Sequence, residues 1–179
     1  AILMLTGAAV PVKADDVCKF DAQRFVLKEY TGTETDVVVP DTMDEGVPVK
    51  RLGTQLLAGS ETLTSVVVPD SVTILDVGAL SYDNNLSEIT LSSNLINIGW
   101  NAISSNDALT ELTIPASVCI IDSYAVSGCY ALKKIVFEGA CPLIGSEAFV
   151  MLSDDVVIYV PDDQIEEYKK VFEENNKNL

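Results

Sequence analysis

The feature that most constrains this 179-residue chain is a 23-residue repeat. Seven positions recur in register over four consecutive units, and one of the seven alternates between Asp and Gly. The other six are small or apolar, and in the first unit they are Leu63, Val66, Val68, Val72, Leu75 and Ala79. One such unit cannot bury its own apolar face, but stacked units form a continuous core. The repeat therefore predicts a solenoid.

Each unit begins with the pattern Leu-x-x-apolar-x-apolar, which is typical of a short strand with one face inward. A proline such as Pro69 or Pro115 follows the strand, with Ser92 and Glu138 in the same place in the other two units. A second inward segment comes next, then the Gly or Asp turn. One strand from each unit should stack into a parallel sheet along one face.

Two degenerate units extend the repeat, so the solenoid is predicted to span residues 36–161. Residues 15–35, which alternate around Phe25 and Leu27, are expected to form a strand or hairpin that caps the first unit. Residues 162–179 are expected to form a capping helix and tail, because open solenoid ends expose core and strand edges. Asp163 and Glu166 resemble a capping box. One helical face would carry Ile165, Tyr168, Val171 and Phe172; binding of a partner is the alternative role for this helix.

Charge and composition exclude several functions. The net charge of −16 repels phosphate backbones and anionic lipid, so nucleic acid is not an expected partner. The absence of histidine removes the usual general base and a common zinc ligand. Residues 1–14 resemble the end of a signal peptide, with Val-Lys-Ala before Asp15, and this apolar run is too short to span a bilayer. We therefore expect a secreted or cell-surface protein that does not insert into the membrane.

The repeat resembles that of BspA-like bacterial leucine-rich repeat proteins, whose pattern is Leu-x-x-Ile-x-Ile-Pro-x-x-Val-x-x-Ile-Gly-x-x-Ala-Phe-x-x-Cys. Residues 109–129 follow it closely, with Asp122 in the Gly position and Val126 in the Phe position. The resemblance covers about residues 25–172. It implies a leucine-rich-repeat solenoid, mostly β with short helical turns and a C-terminal capping helix. It also implies export or surface display, and for several members a link to adhesion.

The outward positions of the predicted strands form two ladders that make the candidate binding face, since solenoids use such extended surfaces to bind partners. The alternative is a merely solvated sheet face. We expect a non-enzymatic module that needs no cofactor and binds a protein of a host surface or matrix, with a glycan-binding or polysaccharide-accessory role as the alternative. The candidate residues are Asp36, Val38, Ser65, Val67, Glu88, Thr90, Glu111, Thr113, Lys134, Val136 and Tyr159.

Two pairs of polar residues raise the alternatives of catalysis and of calcium binding. Glu88 and Glu111 would lie about 5 Å apart on neighbouring strands, which is close to the carboxylate spacing of a retaining glycosidase. An open sheet face offers no cleft, however, so catalysis is not expected. Calcium ligation at Asp83-Asn84 or Asn106-Asp107 is also disfavoured, because the spacing matches no known calcium loop and such residues are common in turns.

The four cysteines allow three pairings, and the sequence does not fix any of them. Cys129 aligns with the last, apolar position of the repeat and is expected to be buried and reduced. Cys119 and Cys141 are one register position apart, so the pleat should point them to opposite faces and disfavours a disulfide. Trp100 occupies a variable position and is expected to be partly exposed.

Overall fold

The structure is a computed structural model that describes residues 18–43 and 46–175. A 3-10 turn (Asp162–Gln164) and one α-helix, α1 (Ile165–Asn175), follow the last strand. The strands of the described residues are β1 (Cys18–Asp21), β2 (Val26–Tyr30), β3 (Asp36–Val38), β4 (Thr42–Met43), β5 (Val47–Pro48), β6 (Arg51–Leu52), β7 (Ser65–Val67), β8 (Ile74–Leu75), β9 (Glu88–Thr90), β10 (Asn97–Ile98), β11 (Glu111–Ile114), β12 (Ile120–Ile121), β13 (Lys134–Phe137), β14 (Leu143–Ile144) and β15 (Val157–Tyr159).

The turns of the solenoid contribute strands to separate sheets around one core. The short second segments form the long sheet, in the order β1-β2-β6-β8-β10-β12-β14. The Leu-x-x-apolar strands form the ladder face, in the orders β3-β7-β9 and β11-β13-β15. Neighbouring turns pair in parallel with equivalent residues opposite each other, as in Leu52↔Leu75 and Leu112↔Ile135. The predicted solenoid and its register are confirmed.

The core consists of the repeated apolar positions. Leu63, Leu86, Leu109 and Leu132 are at most 1% exposed, and the small alanines of the repeat, such as Ala102, are fully buried. Burying one leucine or isoleucine of this kind contributes roughly 1.5–3 kcal/mol. A stacked column of such side chains at every repeated position is therefore the main stabilising term.

The ladder face differs from the single predicted sheet in one respect, a break between β9 and β11. The break falls in the unit in which Ser92 stands in the proline position, as Glu138 does after β13. The Ser92 hydroxyl is buried and donates to the carbonyl of Val72 at 2.6 Å.

The first turn is covered by an antiparallel hairpin of β1 and β2, and β2 then pairs in parallel with β6. The simple alternation expected around Phe25 is not kept. Val26 and Leu27 are both buried, whereas Phe25 is 41% exposed and has a φ of 58°. The tight turn before Val26 requires this left-handed conformation and shifts the facing of the strand. The insertion after Pro40 contains a second, smaller hairpin of β4 and β5.

Helix α1 lies against the last turns, where Tyr168 is 2% exposed and its ring packs at a tilt on that of Phe137, with the ring centroids 4.9 Å apart. Val171 and Phe172 also pack against the core. Ile165 lines an apolar groove together with Tyr168 and Phe172, although it is 37% exposed. One detail of the prediction is wrong. The capping box does not form, because a 3-10 turn starts directly after Pro161 without a side-chain cap.

The predicted signal-peptide end at residues 1–14 lies outside the described residues. Within the described part of the chain, the search for a membrane-spanning helix found none of sufficient length and apolarity.

Candidate functional site

The structure places the predicted ladder residues side by side on the outer surface of the ladder face. Ser65 faces Glu88 across β7 and β9, and Glu111 faces Lys134 across β11 and β13. None of them is buried, because the pleat points every second side chain away from the core. The break between β9 and β11 divides the ladders into two halves: Asp36, Val38, Ser65, Val67, Glu88 and Thr90 in one, and Glu111, Thr113, Lys134, Val136 and Tyr159 in the other.

The first ladder, which consists of the first outward residue of each ladder-face strand up to β13 (Asp36, Ser65, Glu88, Glu111 and Lys134), is mainly acidic and hydrogen-bonded. The Asp36 carboxylate accepts from the Ser65 hydroxyl at 2.6 Å and from the Thr64 hydroxyl at 3.2 Å. The bond from Ser65 is the main cause that lowers the pKa of Asp36 below its usual value. Glu111 forms a 2.9 Å ion pair with Lys134. Glu88 is exposed and has no ion pair among the described residues, so it is the free carboxylate of the ladder.

The second ladder, which consists of Val38, Val67, Thr90, Thr113, Val136 and Tyr159, carries apolar side chains and hydroxyl groups. Val67 is 38% exposed, and Tyr159 at the C-terminal end is 52% exposed. Thr90 and Thr113 lie between them on the two sides of the break. This stripe offers contact area and hydroxyl groups but no charge, and it runs beside the acidic ladder.

The glutamate pair considered for catalysis is not arranged as a pair. Glu88 and Glu111 belong to strands of different sheets, and the carboxylate of Glu111 is bound to Lys134. Glu88 and Glu111 line neither the cleft at the N-terminal hairpin nor the apolar groove of 430 Å³ that includes Tyr159 at the C-terminal end of the ladder face. The geometry gives no support to glycoside hydrolysis, which needs one carboxyl group with a raised pKa beside the sugar.

The side chains of Asp83 and Asn106 are fully buried and are not exposed on a surface turn. The Asn106 amide accepts from the backbone N–H of Asp83 at 3.1 Å and donates to the carbonyls of Leu80 and Ile103, both at 2.9 Å. Asp83 accepts from the backbone N–H of Ser60 at 2.5 Å. These side chains therefore join neighbouring turns, and they cannot ligate calcium from the surface. No group of three or more potential metal ligands occurs among residues 18–43 and 46–175.

Cys129 follows Asp83 and Asn106 in the same repeat position, is fully buried, and its thiol donates to the carbonyl of Ile103 at 3.3 Å. Burial raises the pKa of this thiol to about 11, so it is an unreactive packing group. This confirms its predicted role. Cys18, Cys119 and Cys141 are also free thiols, with Cys119 exposed and the other two half-buried.

A second exposed surface was missed by the sequence analysis. The outer positions of the long sheet repeat every 23 residues, as Arg51, Ile74, Asn97, Ile120 and Leu143. Leu143 is 74% exposed and the neighbouring Ile96 is 46% exposed. Trp100 is 48% exposed, as predicted, and its ring contacts Tyr124 edge-on at 6.4 Å. The signal was present in the 23-residue spacing, but two-residue strands are too short to show alternation.

Comparisons with known proteins agree with this architecture. A family model described as "BspA type Leucine rich repeat region" matches residues 50–178 in six copies. A leucine-rich repeat protein from Bacteroides capillosus is 36% identical, with 64% of this chain and 86% of that one covered and a TM-score of 0.56. The T. pallidum leucine-rich repeat protein shares the fold at 20% identity, with 90% and 96% covered and a TM-score of 0.59.

A third structure is described as a leucine-rich cell surface protein from Faecalibacterium prausnitzii. It is 22% identical, with 80% of this chain and 52% of that one covered and a TM-score of 0.50, so it supports the fold alone. A search of functionally curated proteins gives no match.

Proposed function

The chain belongs to the BspA-type leucine-rich repeat family, and we propose that it is a non-enzymatic, cell-surface or secreted module that binds a protein partner through its ladder face. The observation that carries this proposal is the pair of parallel ladders, one acidic and one apolar, on a flat and open sheet. A relative described as a cell surface protein supports the location.

The size of the ladder face sets the kind of interface. Six strands at ~4.8 Å spacing and about three residues each cover roughly 25 Å by 10 Å. That is about a third of the ~800 Å² that a stable interface buries on each partner. The partner therefore also contacts the turns beside the strands, where Tyr130 is 56% exposed. Such an interface has few deep contacts, which suits adhesion through many weakly bound copies.

The test uses charge reversal at the free carboxylate of the ladder. Purified chain is titrated against a panel of host matrix proteins by surface plasmon resonance. Glu88→Arg should weaken saturable binding about tenfold or more, because Glu88 lies at the centre of the face. The matched control Glu173→Arg makes the same charge change at an exposed residue of helix α1, outside the ladders and the turns beside them, and should change affinity by less than about twofold. Absence of saturable binding to the whole panel, or equal weakening by both variants, would contradict the proposal.

Glycan binding is the second candidate function. It is favoured by Tyr159, which lies at the C-terminal end of the apolar ladder beside helix α1 and leaves half of its surface free for stacking on a sugar ring. Thr113 lies two strands away in the same ladder and offers a hydroxyl group for hydrogen bonds. A glycan array with the parent and Tyr159→Ala tests it, and parent binding that survives the substitution unchanged would rule out this site.

A further inference from the structure

The N-terminal hairpin borders a cleft beside strand β6 of the long sheet, and no residue of the ladder face lines this cleft. The cleft has a volume of 710 Å³. One wall is the turn from Gln23 to Val26, and the other is formed by the first two turns of the solenoid at Arg51, Thr54 and Asp76.

The charge of this cleft is opposite to that of the rest of the molecule. The chain has 27 acidic residues against 11 lysines and arginines, and none of those cations lies between residues 52 and 132. Both arginines of the sequence, Arg24 and Arg51, line the cleft together with Lys28, whereas Asp76 is the carboxylate in its lining. Cations collected in one concave surface attract an anionic group.

Two of the three cations form ion pairs and the third does not. The guanidinium of Arg51 is ion-paired with Asp76, and Lys28 is paired with Asp21 at 2.7 Å. The side chain of Arg24 has no ion pair among the described residues, although its charge is near enough to Asp21 to help lower the pKa of that carboxyl group. Arg24 can therefore receive a carboxylate as a two-pronged hydrogen-bond donor.

An exposed apolar strip continues from the cleft along the same side of the solenoid. Phe25 forms the apolar lip of the cleft and is 41% exposed. Val77, Ile96 and Trp100 follow on the next two turns with exposed fractions of 41%, 46% and 48%. Two turns correspond to ~10 Å, which about three residues of extended chain can span.

We propose that this surface binds an extended segment of a partner protein, with acidic residues at one end and apolar or aromatic residues at the other. The carboxylates enter the cleft beside Arg24 and Arg51, and the apolar side chains lie along Val77, Ile96 and Trp100. The assignment of a protein segment follows from the combination of a cationic cleft with a strip of aliphatic side chains, which acidic polysaccharides do not match. The site is independent of the ladder face.

The experiment uses the intact chain and Trp100, its single tryptophan, as the reporter. The probe is a synthetic peptide of about ten residues with glutamates at one end and tyrosine and leucine at the other. Its scrambled form and an oligogalacturonate of equal charge are the comparison ligands. Arg24→Gln removes the third cation of the cleft. Lys19→Gln is the matched control, because Lys19 lies on the same hairpin but points away from the cleft toward Glu29.

The expected result is saturable binding of the ordered peptide with a shift of Trp100 fluorescence, weakened about tenfold by Arg24→Gln and less than about twofold by Lys19→Gln. The scrambled peptide should bind more weakly. Equal weakening by both variants would show unspecific charge attraction and overturn the site. Tighter binding of the oligogalacturonate would assign the cleft to acidic sugars, and absence of saturation with every probe would remove it altogether.

Discussion

At the scale of single residues, one repeat position joins successive turns through buried polar side chains. Asn106 accepts from the N–H one turn back, and its NH2 donates to the carbonyl of Leu80. Cys129 repeats the donation, to the carbonyl of Ile103. Asp83 occupies the equivalent position one unit earlier and likewise accepts from a backbone N–H one turn back, that of Ser60. Its second carboxyl oxygen, however, is buried without a hydrogen-bond partner. Only a protonated Asp83 can donate as Asn106 does.

This arrangement predicts an unusual pH dependence. Burial raises the pKa of Asp83 to about 7, whereas in the unfolded chain it is ~3.9. Between those values the folded state holds a proton that the unfolded state has lost, so stability is fully present below pH ~4 and falls as pH rises toward 7. The loss is up to about 1.4 kcal/mol per pH unit. Asp83→Asn should remove this slope and be more stable than the parent at pH 7.

Urea unfolding of both chains from pH 4 to pH 8 measures the effect, with Asp107→Asn as the control for a lost surface charge. Carboxyl groups with lowered pKa values, such as Asp36 and Asp70, give a slope of opposite sign, present above pH ~4 and lost at lower pH. The difference between parent and Asp83→Asn cancels that contribution. A pH-independent difference would show that Asp83 does not hold a proton in the fold.

The residues with left-handed backbone conformation are a feature that the sequence predicts only in part. Every turn needs left-handed residues at two repeat positions, and glycine marks only some of them, such as Gly78 and Gly128. Asn101, Tyr124 and Met151 adopt the same conformation at φ between 53° and 60°. An aromatic or thioether side chain gives no signal for a positive φ, because only the stacking of the neighbouring turns imposes it.

At the scale of elements, the ladder strands could be predicted because each has three or four residues with alternating burial. The repeat strands of the long sheet, from β6 to β14, have two residues each, so they were recognised as inward segments but not as strands. The cleft was also beyond sequence reasoning, since it joins the hairpin turn at Arg24 to Arg51 on a later strand. Contacts between segments 27 residues apart depend on how the hairpin folds back, which the 23-residue period does not describe.

Helix α1 closes the last turn through an aromatic cluster, and this gives a prediction for its residues. Tyr168 packs on Phe137 and donates to the carbonyl of Gly139 at 3.1 Å, whereas Ile165 is 37% exposed and lies at the edge of the aromatic cluster. Tyr168→Ala should lower the free energy of unfolding by about 3–5 kcal/mol, and Ile165→Ala, on the same helix, by less than about 1 kcal/mol. Amide hydrogen exchange at residues 157–160 should accelerate only for Tyr168→Ala. Similar exchange in both variants would show that the helix does not protect the last turn.

At the scale of the whole molecule, the solenoid separates two surfaces by one layer of core. The ladder face and the outer face of the long sheet belong to different sheets of each turn, so they are two separate surfaces. The N-terminal hairpin and helix α1 cover the two ends, so the sides remain for binding. Along the chain, all lysines and arginines lie before residue 52 or after residue 132, and the segment between carries only acidic charges.

This uneven charge predicts that salt stabilises the fold. With a net charge of −16, acidic groups on neighbouring turns repel one another over distances comparable with the ~10 Å screening length at 0.1 M salt. Raising NaCl from about 0.01 M to 0.15 M should therefore increase the free energy of unfolding, because the unfolded chain spreads the same charges further apart. Exposed turn residues such as Glu61 and Asp107 contribute without forming ion pairs among the described residues, so Glu61→Lys combined with Asp107→Lys should reduce the salt dependence. Urea unfolding at several salt concentrations measures both chains. A parent that loses stability as salt rises would show that its five ion pairs among the described residues, such as Lys28–Asp21, outweigh the repulsion.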